Sequence, residues 1–177
     1  MQFAKDSFYI ALRERLASLN PQRTVTLNGA TRPAVIVAEN ELVIPVEPLP
    51  DAFYIEWGAA QVVPGQAGSR PLMTMDCIIS HHTLGTTEAG VDRGRTLADL
   101  DMELMSICQP QHAPKRDYTQ APSLDLGTNV FWTLPEFSAV AGSDGPKRET
   151  VRNKSQSARL ERTARLKVLF FAEVSSI

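Results

Sequence analysis

The stretch RLERTARLKVLFFAEV, Arg159 to Val174, alternates between two faces. Leu160, Ala164, Leu166, Val168, Phe170, Ala172 and Val174 fall on one, interrupted only by Arg162. Glu161, Thr163, Arg165 and Lys167 fall on the other. A period of two belongs to a half-buried β-strand, so the pattern predicts a long closing strand with a cationic outward side. Extended patterning also predicts strands in PLMTMDCIIS, with Met73, Met75, Cys77 and Ile79 on one face, and in AFYIEWGAAQVV, ELVIPVEP and NVFWTLPEFSAV. RTVTL and RPAVIVAE flank Asn28-Gly29, a strong hairpin signal.

Two segments follow the helical period instead. Phe8, Leu12, Leu16 and Leu19 form one stripe, with Arg13, Glu14 and Arg15 between, and Asn20-Pro21 should end that helix. Leu97, Leu100, Leu104, Ile107 and Cys108 form a second stripe on a helix that should start between Glu88 and Asp92 and close at Pro110. Its acidic residues Asp92, Asp99, Asp101 and Glu103 are expected on the solvent side. Residues 109–127 and 142–157 keep no sustained period and read as long polar loops. The order is helix, several strands, helix, two strands. It predicts a single α+β domain over residues 1–177, mostly an antiparallel sheet with both helices on one face.

Composition adds limits. A chain of 177 residues, 43% hydrophobic and 21% charged, is long enough for a self-sufficient core. Two cysteines are too few for a disulfide framework and fit buried thiols in a reducing cytosol. The opening MQFAKDSFYIALRERL puts charges where a signal peptide is apolar, and no run approaches the ~18 apolar residues of a membrane span. A cytoplasmic protein is expected. The net charge of −2 argues against a general nucleic-acid binder, but it is unevenly spread. Lys147 to Lys167 holds eight basic residues against Glu149 and Glu161, a local +6 that leaves −8 for the rest. Such polarity suits self-association between unlike surfaces or one contact with a polyanion, and equally a solvated basic loop.

Candidate chemistry is sparse. His81 and His82 are adjacent on a predicted strand, so their side chains diverge and do not readily share a metal. Cys108-x-x-x-His112 is half of a zinc spacing without the remaining ligands. No metal, cofactor or catalytic residue is expected. Gly85, Gly90 and Gly94 do not match a dinucleotide fingerprint, and no nucleophile elbow is present. Asp92-Arg93-Gly94-Arg95 reads either as an anion site at a helix start or as a solvated first turn. Trp57, Trp132, Phe53, Tyr54 and Phe131 read either as a base-stacking platform or, with more weight, as core.

The assembled pattern resembles one family, the bacteriophage tail terminator (tail completion, head–tail joining) proteins and their relatives in tail-like particles. The resemblance is architectural and spans most of the chain: the leading helix FYIALRERLASL, the hairpin RTVTLNGATRPAVIVAE, the strand PLMTMDCIIS, the helix RGRTLADLDMELMSIC and the closing strand RTARLKVLFFAEV. It implies helices on one sheet face and subunits closed into a ring that caps the tail tube and docks the head. It further implies homo-oligomerisation, tail-tube and head-connector partners, passage of DNA, and a place in a virion or prophage-derived particle. The chain is longer than a minimal terminator at Gln109–Gly127 and Gly142–Ser157, and no site residue is carried over.

On this reading the protein is a non-catalytic structural subunit. Its subunit or DNA contacts are expected at Lys147, Arg148, Arg152, Lys154, Arg165 and Lys167, either lining the ring's hole or facing the acidic second helix. A long edge-capable closing strand would then serve as an interface. Two rival readings remain. One is a small enzyme or ligand-binding domain with a site at His81, His82, Asp76 and Asp92; the other is an adaptor whose basic loop binds nucleic acid.

Overall fold

The computed structural model describes residues 1–41, 47–64, 70–85, 90–142 and 159–172. Helix α1 (Gln2–Leu19) opens the chain. A short hairpin follows, β1 (Thr24–Leu27) with β2 (Ala30–Pro33). Its turn is made by Asn28 at φ 50° and Gly29 at φ 79°, the left-handed pair that matches strand twist in a two-residue loop. Then come β3 (Val35–Val37), β4 (Phe53–Val63), β5 (Leu72–Thr83) and helix α2 (Gly90–Ile107). The chain continues through β6 (His112–Asp117), β7 (Leu124–Trp132), β8 (Glu136–Phe137), β9 (Ala141–Gly142) and β10 (Leu160–Phe171).

Among the described residues the main sheet has eight strands, in the order β3-β4-β5-β10-β7-β6, with β8 and β9 also on β10. Every pairing is antiparallel except β3 with β4. Strand parity sorts its two faces. Met75, Cys77, Ile79, Ala164, Leu166, Val168, Phe170, Val130 and Trp132 are buried and share one core with Phe8, Leu12, Leu16, Leu100, Leu104 and Ile107 of the helices. Both helices therefore lie on the same sheet face, as expected. Leu19 departs from its stripe: it is 51% exposed, at the turn where Asn20 caps α1 through its N–H to the Leu16 carbonyl.

The closing strand is where it was expected, but it is not an edge. β5 pairs with β10 from Leu160 to Phe171, while β9, β8 and β7 cover its other side in succession. The expected ring contact through a free β10 edge is thus closed off. Val174 and most of ELVIPVEP lie outside the described residues.

The expected loop at 109–127 is also corrected, because it contains β6, a turn and the start of β7. β6 alternates, but two of its three buried positions are Lys115 and Asp117, so hydrophobicity alone hid the period. Lys115 donates its ammonium to the Phe171 carbonyl at 2.9 Å, and Asp117 accepts from the Thr119 N–H and hydroxyl. Buried charge survives only when partnered in this way. Of the second expected loop, Gly142 ends β9 and the remainder lies outside the described residues.

Candidate functional site

Arg162, the one break in the apolar face of β10, finds its reason on α2. It donates to Asp101, and its guanidinium lies 6.0 Å from the Phe137 ring centroid. The other Asp101 oxygen accepts from His81 Nε2 at 2.8 Å, and His81 is the register partner of Arg162 on β5. One carboxylate therefore joins α2 to the two central strands. Since a carboxylate only accepts, the His81 proton sits on Nε2. His81 is 2% exposed and edge-on to Phe53 (5.6 Å) and Phe137 (6.4 Å). Its Nδ1 is buried without a hydrogen-bond partner among the described residues.

Burial pushes the His81 imidazole below its ordinary range; the Asp101 hydrogen bond and charge oppose that shift, and Arg162 adds to it. His82 is lowered too, by burial first and then by Arg159. In the unfolded chain both imidazoles titrate near ~6.5. Below that pH the unfolded state takes up protons that the folded state resists. Stability from these groups is complete above pH ~6.5 and is lost as pH falls through the lower folded values. Denaturant midpoints should therefore drop as pH falls below about 6.5, with a shallower drop in His81→Asn. An identical slope in the variant would show that His81 does not govern it.

The other sequence candidates scatter. Asp76 is exposed on the face opposite His81, and five residues of strand separate them by roughly 16 Å. His82 shares the Asp76 face but lies six residues away, and Asp92 sits in the first turn of α2. The four residues of the enzyme reading do not converge. Among the described residues no group of three or more His, Cys, Asp or Glu is placed to hold a metal. Burial pushes the Cys108 thiol up to about 12 and the Cys77 thiol higher still, which makes both poor nucleophiles. Arg93 packs against Gly85, whose φ of 75° and missing Cβ leave room for it.

The aromatic residues split the same way. Phe53 and Trp132 are core, with Phe8 edge-on to Trp132 at 5.0 Å and the Trp132 indole donating to the Cys108 carbonyl. Phe131 is 43% exposed.

The acidic helix is corrected as well. Asp101 is engaged as described, and Glu103 accepts from Arg23 and Asn20, which ties the segment after α1 to α2. Asp99 remains exposed.

Among the described residues, the second face of the sheet is presented around Arg165 and Lys167, whereas at its other end His82 on that face is buried. Arg165 and Lys167 are exposed there; Lys167 is paired in register with Asp76, and Arg165 lies between Ile78 and Glu136. With Thr133 these residues line a depression of about 360 Å³. Toward one end the face turns apolar, with Leu72, Leu169, Phe131 and Phe171, the last 38% exposed. Lys147, Arg148, Arg152 and Lys154 lie outside the described residues. No helix among the described residues is long and apolar enough to cross a membrane. The sequence matches no protein-family model, and no curated protein matches it.

Proposed function

We propose that this chain is a non-catalytic assembly subunit of the phage tail terminator or neck-ring kind, working as a homo-oligomeric ring. The observation that supports this most is the second sheet face around Arg165 and Lys167: both helices cover the other face, and this part carries charged and apolar side chains together. Subunit interfaces combine these ingredients, with apolar area for affinity and charges for register and partner choice. With β10 central, the contact runs through the open face and not through that strand's backbone. Arg165 and Lys167 of one subunit meet acidic groups of the next, and the basic run Lys147 to Lys154 meets a neighbouring subunit or the DNA that passes through. Tail-tube and head-connector proteins are the further partners, and the particle is a virion or a phage-derived device.

The test is a pair of variants: Arg165→Glu with Lys167→Glu, and Lys147, Arg148, Arg152 and Lys154 all to Glu. The first should keep the parent's melting temperature, because the exposed charges of Arg165 and Lys167 contribute little to folding. Both should weaken ring formation, and the deficit should shrink at high salt, where exposed charges are screened. Normal assembly by both variants would contradict the proposal.

A further inference from the structure

The two flanks of the eight-stranded sheet are finished differently. On the β6 flank, Pro114 offers no N–H, the Ser7 hydroxyl of α1 accepts from the Arg116 N–H at 2.9 Å, and Arg15 donates to the His112 carbonyl at 2.7 Å. That edge is occupied by α1. On the other flank, β3 pairs with β4 only through Phe53–Ile55, and the 3-10 turn Ala38–Asn40 leads the chain away. From Glu56 onward β4 has β5 on one side and no strand among the described residues on the other.

Gly58 to Val62 are exposed, Val62 at 62%. The run WGAAQVV, Trp57 to Val63, has neither charge nor proline, two of the usual means of blocking an edge. A register shift between Trp57 and Ala60 bends the strand, yet Ala60 to Val63 resume regular pairing with β5. Where β3 leaves, a groove of about 490 Å³ opens, lined by Lys5, Val37, Glu39, Trp57, Gly58 and Met75. The Trp57 indole N–H is buried without an acceptor among the described residues.

We propose that the β4 edge from Gly58 to Val63 is a strand-addition site whose occupant is the same edge of a second copy, antiparallel about a twofold axis. A row of backbone donors and acceptors is satisfied by another extended backbone. The edge is uncharged, so facing its own copy sets no like charges opposite one another. The β6 flank of a copy is already taken by Ser7 and Arg15, whereas the β4 edge from Gly58 to Val63 faces no described strand. An isologous contact satisfies both partners at once. This pairing does not rest on the ring reading.

The experiment places single cysteines at Ala59, Ala60, Gln61, Val62 and Val63 and follows intermolecular disulfide formation under mild oxidation. Cys77 and Cys108 are buried and serve as the silent background. Cross-linking should peak at the position nearest the axis and fall away at its neighbours. In sedimentation, Val62→Lys should shift the paired species to the unpaired one with the melting midpoint unchanged, since Val62 is largely exposed. Uniform cross-linking, none at all, or a Val62→Lys variant that associates like the parent would each overturn the proposal. So would occupation of the edge by an extended peptide of another protein while copies stay unpaired.

Discussion

Asp101→Ala should lower the unfolding free energy by about 3 kcal/mol, toward the lower end of the ~3–5 kcal/mol for breaking a buried ion pair. The lower end applies because the Asp101 and Arg162 side chains keep 14% and 23% of their exposure. His81 is the costlier orphan, being fully enclosed, with Nδ1 already lacking a partner among the described residues. Removing the carboxylate leaves Nε2 unpaired as well and leaves a guanidinium facing an imidazole. Asp101→Asn should recover part of the loss, because an amide oxygen still accepts from one of the two donors. Denaturant titration reads both variants. A loss under about 1 kcal/mol in Asp101→Ala would mean that water replaces the carboxylate at little cost.

Leu104→Ala should cost ~2–5 kcal/mol, the range for truncating a buried leucine. Leu104 is fully buried beside Leu100 and Ile107, and the sheet beneath is hydrogen-bonded on both sides, so the cavity has little means of collapse. Met102 on the outer side of α2 is 66% exposed, and Met102→Ala should stay within about 0.5 kcal/mol of the parent. Similar losses for the two would place α2 outside the core.

What the chain reveals before folding follows from period. Both helices, β4, β5 and β10 carry apolar rhythms, that of β10 broken only at Arg162, Asn28-Gly29 is a turn signal, and all of them form. β6 was hidden because Lys115 and Asp117 occupy inward positions, and β8 and β9 because two residues each are too few to show a period. The central placement of β10 was not legible either. Alternation reports which face is buried but not whether an edge is paired, and its covering is split among short pairings with β7, β8 and β9.

The site behaves likewise. Arg162 was visible as an anomaly, whereas its partner was not, since Asp101 looks like any polar helix position until α2 is laid across β5 and β10. Arg15 is a similar case. It reads as an outward charge, yet it donates to the carbonyls of Ile107, Pro110 and His112.

The most direct test of the assembly reading is electron microscopy of the purified chain, alone and mixed with the phage-type tail tubes which that reading proposes as its partner. The account predicts closed rings of a single symmetry with a central hole, seated at one end of the tube when tubes are present. Chains that form no ring in either condition would contradict it.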